Sequence, residues 1–431
     1  MYIETIRIEN FRTFRKTTVS LAHPEAEFEA MGMPTPKLRN INLLLGNNGR
    51  GKTTFLKAIA LSLLGPAAGR SGIYPYRLVR RESKVTGKTA RAVVGADIVT
   101  HDQDRAGIRN LTSQVVIERE GDLESIETLR AKALGWDAIY SVESDAFFFV
   151  GYGATRRVEA RERFDAGARG AVRFPRAQRI QSLFEESYSL VPLGAWLPQL
   201  KETNPGRYKQ VIALVNKLLV GGDYRFKGEV EQGEYVFEQG RLRIPFPALS
   251  DGYRAYLGWI GDLLYHVCAT CPDGARLTDN RGVVMVDEID LHLHPKWQMT
   301  LLATLATALP RIQFIVTSHS PLIVGSLEWM NIIAIAGRPA QSSIATRYER
   351  PVNGLDADQI LLTEFFGLDS TRVDSKANDI KSLTLRARDG DSDAALELLR
   401  AMGQGSDVGA NERRVVPRQL LPQAKGRGVR K

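Results

Sequence analysis

The chain has 431 residues, 43% hydrophobic and 25% charged, with a formal net charge of +9. This is a globular composition with room for two or three domains, and two cysteines exclude a disulfide framework. No apolar run approaches the roughly 18 residues of a membrane span, and Glu4 interrupts the N-terminus too early for a secretion signal. The expected location is therefore the cytoplasm, with no membrane partner. The positive excess is compatible with a polyanionic partner without establishing one.

In chain order, YIETIRIENFRTF alternates as a strand does, and INLLLG reads as a buried strand. GNNGRGKTT follows, with four free positions between Gly46 and Gly51 and then Lys52 and Thr53. The amphipathic stretch from about Thr53 puts Phe55, Leu56, Ile59, Ala60 and Leu63 on one helical face, and Gly65-Pro66 stops it. RAVVGADIVT, LTSQVVIERE and AIYSVESDAFFFVGYG look strand-rich. From Arg156 to Arg179 there are eight arginines and three acids. Residues 182–222 have helical spacing, and 223–246 read as short strands and turns. PALSDGYRAYLGWIGDLLYHV is a helix with a loop at its start. RGVVMVDEID and RIQFIVTSHSP are buried strands joined by the helix HPKWQMTLLATLATAL. Residues 354–403 are mostly helical, and the basic tail beyond them is expected to be disordered. No long heptad run occurs, so no extended coiled coil is expected.

The chemistry begins at the glycine loop. Backbone N–H groups turning into a helix start cradle phosphate oxygens, which makes Gly46, Asn47, Asn48, Gly49, Arg50, Gly51, Lys52, Thr53 and Thr54 candidate nucleotide contacts. Lys52 would reach the β- and γ-phosphates and Thr53 would hold Mg²⁺. In VVMVDEID, Asp287 and Glu288 stand at the C-terminal end of a strand, where ligands bind in parallel sheets. Asp287 would hold Mg²⁺ through water and Glu288 would polarise the attacking water; the competing reading is a pair that caps a turn. His319, ending FIVTSHSP, could contact the γ-phosphate, although a lone strand-end histidine is often structural. In LSDGYR, Ser250, Gly252 and the helix start form a second γ-phosphate site; Ser250 is at the same time an N-cap. His266, Cys268 and Cys271 offer part of a zinc site, against the plainer reading of thiols at the end of a buried helix.

IENFRTF, GNNGRGKTT, LSDGYR, VVMVDEID and VTSHSP, over about residues 1–335, resemble the ABC-type ATPases of the RecF, SMC and OLD group. The resemblance implies an α/β, two-lobed head with a mixed sheet core, a helical insertion and a C-terminal helical region. It implies ATP and Mg²⁺ as cofactors and two heads that sandwich two nucleotides. Lys52, Thr53, Asp287, Glu288 and His319 would form the half-site of one head, with Lys52, Glu288 and His319 catalytic. Ser250 and Gly252 would come from the other head. Asn10, Phe11 and Arg12 match the opening strand of the group, near the nucleotide. The glutamine loop of the group has no clear counterpart: FVGYGATRR, 149–157, lies in the best candidate region and lacks Gln.

A narrower resemblance rests on DEIDLHLHPKWQ, GYGATR and GLDADQILLTEFFGLDSTR. These are similar to compact anti-phage ATPases, such as the Septu ATPase that works with an HNH nuclease, and retron-associated ATPases. This implies a homodimer or higher homo-oligomer, a separate effector nuclease of HNH type, and DNA or RNA as a candidate ligand. Asp356, Asp358, Asp369 and Asp374 are scattered at helix starts and turns, as N-caps are, so the nuclease is expected on another chain. The expected organisation is 1–155 as ATPase lobe I, 156–240 as an Arg-rich helical insertion, 241–340 as lobe II, 341–403 as C-terminal helices and 404–431 as a flexible tail. Arg161, Arg163, Arg169 and Arg173 either track a phosphate backbone or lie on a solvated face. Ile360, Leu361, Phe365 and Phe366, and the stripe Ala395, Leu398, Leu399 and Met402, offer surfaces for the ATPase body or an effector chain. A RecF-like DNA-repair clamp uses the same chemistry. A transporter subunit is disfavoured by LSDGYR where transporters usually show LSGGQ.

Overall fold

A computed structural model describes all residues except 82–88, 128–134, 142–145, 159–174, 338–341, 364, 365, 367, 369–373 and 400–431. Strand β1 (Tyr2–Phe11) buries Ile6, Ile8 and Phe11 and exposes Glu4 and Glu9, the alternation of a sheet with one covered face. It lies in an antiparallel sheet of order β2-β1-β4-β5-β6, with β2 (Phe14–Ser20), β4 (Thr89–Val99), β5 (Asn110–Glu120) and β6 (Leu123–Ile126). A second sheet runs β16-β15-β3-β14-β13-β7, built from β3 (Ile41–Leu45), β7 (Phe149–Tyr152), β13 (Gly282–Val286), β14 (Ile312–Thr317), β15 (Ile332–Ala336) and β16 (Ile344–Arg347). Its strands pair in parallel except at the edge strand β16.

β3, β7, β13 and β14 are buried along their whole length because both faces are covered. Leu44, Val283, Met285 and Ile315 pack into the core shared with the antiparallel sheet and with α1 (Lys52–Leu64). Leu43, Leu45, Val284, Val286, Phe314 and Val316 belong to the opposite core. That core also takes α4 (Leu193–Thr203), α5 (Pro205–Leu218), α6 (Asp251–Thr270) and α7 (Pro295–Ala308). The remaining helices are α2 (Asp137–Tyr140), α3 (Pro175–Gln181), α8 (Pro321–Gly325), α9 (Ala357–Leu361) and α10 (Asp374–Arg388). Two-residue strands β8 (Arg157–Val158) and β9 (Ser189–Leu190) pair in parallel, and β10 (Arg225–Glu231), β11 (Glu234–Gln239) and β12 (Leu242–Pro245) form a small antiparallel sheet.

Two expectations change. α1 is buried on nearly every side, not along one stripe, because it is wedged between the antiparallel and parallel sheets. The run AIYSVESDAFFFVGYG is not one strand: Asp137–Tyr140 is a helical turn, 142–145 lie outside the described residues, and only Phe149–Tyr152 enters a sheet. The fold is mixed α/β, and the longest helix among the described residues, α6, has 20 residues. Among those residues no helix is long and apolar enough to cross a membrane. The chain divides into two compact units, Met1–Gly367 and Leu368–Lys431. The second contains α10 and a helix at 392–399.

Candidate functional site

β3 ends at Leu45, the chain turns through Gly46–Gly51, and α1 begins at Lys52. Gly51 has φ +106°, and a Cβ there would lie 2.2 Å from Thr13 Oγ1, so only glycine makes this turn without displacing the β1–β2 hairpin. Thr13 also donates its hydroxyl proton to the Arg50 carbonyl, 3.3 Å away. The first turn of α1 has no acidic side chain and no side-chain cap, which leaves its N–H groups available to an anion. Lys52 curls back over the loop, and its Nζ donates to the carbonyls of Gly46 (2.8 Å) and Asn47 (3.4 Å). Burial lowers the Lys52 pKa, opposed by the charges of Asp287, Glu288 and Asp290. Asn48 and Gly49 are exposed at the tip, Asn47 and Arg50 half-buried, and Thr54 buried behind the loop.

Two strands away, β13 delivers the acidic pair. Asp287 is buried, with one oxygen 2.6 Å from Thr53 Oγ1 and the other 2.6 Å from Thr317 Oγ1, both hydroxyls donating. Thr317, at the end of β14, also accepts from the Glu288 N–H at 2.7 Å. Glu288 has φ +47°, a left-handed conformation costly for a non-glycine residue and typical of over-determined functional sites. The constraints are visible: Thr317 Oγ1 holds its N–H, the Thr317 carbonyl holds the next N–H at 2.9 Å, and Arg156 holds its carbonyl at 2.9 Å. Arg156 also donates to the Asp287 carbonyl at 2.6 Å. Burial lowers the Arg156 pKa to about 10, against the pull of Asp287, Asp290 and Glu288.

His319 follows β14 half-buried. Burial, then the Lys52 charge, lower its pKa, while Glu288, Asp290 and Asp287 raise it. Lys52, Thr53, Asp287, Glu288 and His319 thus form one electrostatically connected group. Ser250 and Gly252 are held by other contacts. Exposed Ser250 caps α6, its Oγ 3.5 Å from the Tyr253 N–H. A Cβ on Gly252 would lie 2.5 Å from the His292 carbonyl, so glycine lets the start of α6 approach the loop after the acidic pair. Phe11 is buried, Asn10 donates to the Arg91 carbonyl at 2.7 Å, and the Arg12 N–H donates to Leu78 O at 2.8 Å.

The arginine run resolves unevenly. Arg156 and buried Arg176 direct their guanidiniums at backbone carbonyls, those of Ala146, Ile139 and Ser141 in the case of Arg176. Arg161, Arg163, Arg169 and Arg173 lie outside the described residues. His266 pairs with Asp262 at 3.4 Å, and Asp262 also accepts from Tyr152 and the Val191 N–H. Burial pushes the Cys268 thiol up to about 12, and Cys271 caps the end of α6. Among the described residues, no three of His, Cys, Asp and Glu converge as metal ligands. In the C-terminal region Ile360 is buried and Phe366 packs on the core of the first unit, while Phe365 and Met402 lie outside the described residues. Leu399 is exposed, and Ala395 and Leu398 are half-buried.

Thr13, Thr317 and Arg156 were not singled out as site residues from sequence. All three fall inside the stretches IENFRTF, VTSHSP and GYGATR, without a role of their own there. A threonine just before Ser-His and an arginine just after GYGAT are the only local signals.

A hard divalent cation takes oxygen donors and keeps several waters. One hydroxyl and one carboxylate already in contact, Thr53 and Asp287, fit such an ion when phosphate oxygens complete the shell. The buried Asp290 Oδ1, which has no hydrogen-bond partner, adds a further acceptor in the acidic loop.

A family model described as "AAA domain, putative AbiEii toxin, Type IV TA system" matches residues 41–325, and one described as "AAA ATPase domain" matches 1–65. The Septu protein PtuA of Bacillus mycoides (strain KBAB4) is 25% identical over 86% of this chain and 46% of its own length. The Escherichia coli protein described as "Retron Ec83 probable ATPase" is 33% identical over 23% of this chain and 18% of its own. The matched regions thus cover less than half the length of each of these relatives. Among solved structures, an SMC head bound to the C-terminal winged-helix domain of ScpA is similar, with a TM-score of 0.47, 17% identity, and coverage of 80% of this chain and 97% of that one.

Proposed function

The chain belongs to the AAA-domain family whose model matches residues 41–325, and we propose that it binds and hydrolyses ATP, closes as a dimer around it, and so gates a separate nuclease in anti-phage defence. The observation that carries the reading is the junction at Asp287, whose carboxylate joins the phosphate-loop hydroxyl of Thr53 to Thr317, the residue that fixes the Glu288 backbone. On this reading Lys52 leaves the Gly46 and Asn47 carbonyls for phosphate oxygens, and the first N–H groups of α1 take the phosphate charge. Mg²⁺ held by Thr53 and Asp287 would neutralise charge on the β- and γ-phosphates. Glu288 accepts a proton from water as the water oxygen attacks the γ-phosphorus and the bond to the β,γ-bridging oxygen breaks, giving ADP and phosphate. His319, half-buried just after β14, donates a ring N–H to a γ-phosphate oxygen.

Exposure of Ser250 and Asp251 at the start of α6 supports a signature surface that meets the nucleotide of a second copy. The resemblance to the Septu protein PtuA over 86% of the chain supports a role in anti-phage defence with a partner nuclease. Light scattering on Glu288→Gln tests the closure. ATP should double the particle mass, and ADP should not; a mass unchanged by ATP would remove closure from the account.

A further inference from the structure

From Pro66 to Arg81 the sequence contains four arginines and no acidic residue. Within it Tyr74 and Tyr76 are 68% and 63% exposed, and Pro75 between them is buried. Two exposed aromatic rings one residue apart present flat apolar faces, each with a polar tip, beside basic side chains. Arg77, also exposed, sits at φ +52° and holds its guanidinium 5.5 Å over the Tyr76 ring.

The segment is anchored firmly on the side away from solvent. The buried Glu124 carboxylate accepts from the N–H groups of Leu78 (2.6 Å) and Val79 (3.2 Å). The Arg12 N–H donates to Leu78 O at 2.8 Å, the Arg80 N–H to Asn10 O at 2.9 Å, and the Arg80 guanidinium to Thr13 O at 2.8 Å. Exposed Arg70 precedes the tyrosines. The segment behind it packs Gly65 against Trp136, which leads into Tyr140, 37% exposed and within the field of the Arg70 charge.

We propose that Tyr74, Tyr76 and Arg77, with Arg70, form a binding site for single-stranded nucleic acid. Stacking platforms for unpaired bases combine exposed aromatic rings with basic side chains that follow the phosphates. The two rings stand one residue apart on an irregular stretch that is tied down directly after them by the backbone bonds of Leu78, Val79 and Arg80, which limits the ordering lost on binding. A duplex keeps its base faces stacked on one another, so the tyrosine rings have no base face to stack on there. A protein partner would have to accept sixteen successive residues without a carboxylate of their own, of whose four arginines Arg81 pairs with Asp122 at 3.1 Å.

The test is fluorescence polarisation of labelled oligothymidylate and oligouridylate with the full chain, without nucleotide, so that the result does not depend on ATP binding. Tyr74→Ala and Tyr76→Ala should each weaken binding about tenfold, and Tyr76→Phe should keep it. Arg77→Ala should reduce the salt slope by about one. Denaturation midpoints of the alanine variants should match the parent, because the rings are exposed. Absence of strand binding by the parent at low salt, or affinity unchanged in the two tyrosine variants, would overturn the proposal. So would equal binding of duplex and single strand with no effect of the tyrosines.

Discussion

Thr53 and Asp287, 234 positions apart, meet at 2.6 Å. The meeting follows from strand order: β3 and β13 flank β14, so the loop after β3 and the acidic turn after β13 open on the same edge of the sheet. Thr317, at the end of the strand between them, closes the gap.

Thr317→Val should destabilise the protein by about 1–3 kcal/mol, because the change leaves an Asp287 oxygen and the Glu288 N–H buried without their shared hydroxyl. Thr317→Ser keeps that hydroxyl and should stay close to the parent. Urea midpoints decide it; equal midpoints for the valine and serine variants would mean that the bridge contributes nothing.

Lys52→Ala should lose ATP binding, read with a fluorescent ATP analogue, since the buried ammonium is the cation of the loop. If the site is shared between copies, Ser250→Arg should retain nucleotide binding and lose turnover. Mixing the two variants should then restore part of the activity, because a mixed dimer has at most one intact site. Normal turnover by Ser250→Arg alone would place the whole site within one chain.

His23 is buried, stacked on Tyr2, with Nδ1 unpartnered; burial lowers its pKa to about 4 from 6.5, opposed by Glu25. Above pH 6.5 the ring is neutral in folded and unfolded chains. Between 6.5 and about 4 the unfolded chain takes up a proton that the folded chain refuses, so stability falls as the pH is lowered, by up to about 3 kcal/mol. His23→Gln should flatten this part of the stability profile, measured by denaturation at stepped pH. A parent and variant with parallel profiles would show that the imidazole is not the source.

Much of this candidate site was legible because its residues fall in short contiguous motifs. Gly51-Lys52-Thr53 and Asp287-Glu288 are contiguous, and the strands before them are apolar enough to be recognised as buried. What escaped was tertiary. Thr317 matters because β14 lies between β3 and β13, an adjacency that no short stretch encodes. Arg156 closes GYGATR and opens the basic run, and neither context announces that its guanidinium holds the turn at Glu288 through two carbonyls. The same limit applies to α1, whose face pattern could not announce that a second sheet covers its other side.

On the proposed function, Glu288 is the base that drives hydrolysis of ATP bound at the Gly46–Thr54 loop. The direct measurement is phosphate release by the parent and by Glu288→Gln, with ATP binding followed on the same samples. The parent should release phosphate steadily, and the variant should release it about a hundredfold or more slowly while retaining ATP binding. Near-parental release by Glu288→Gln would contradict this role.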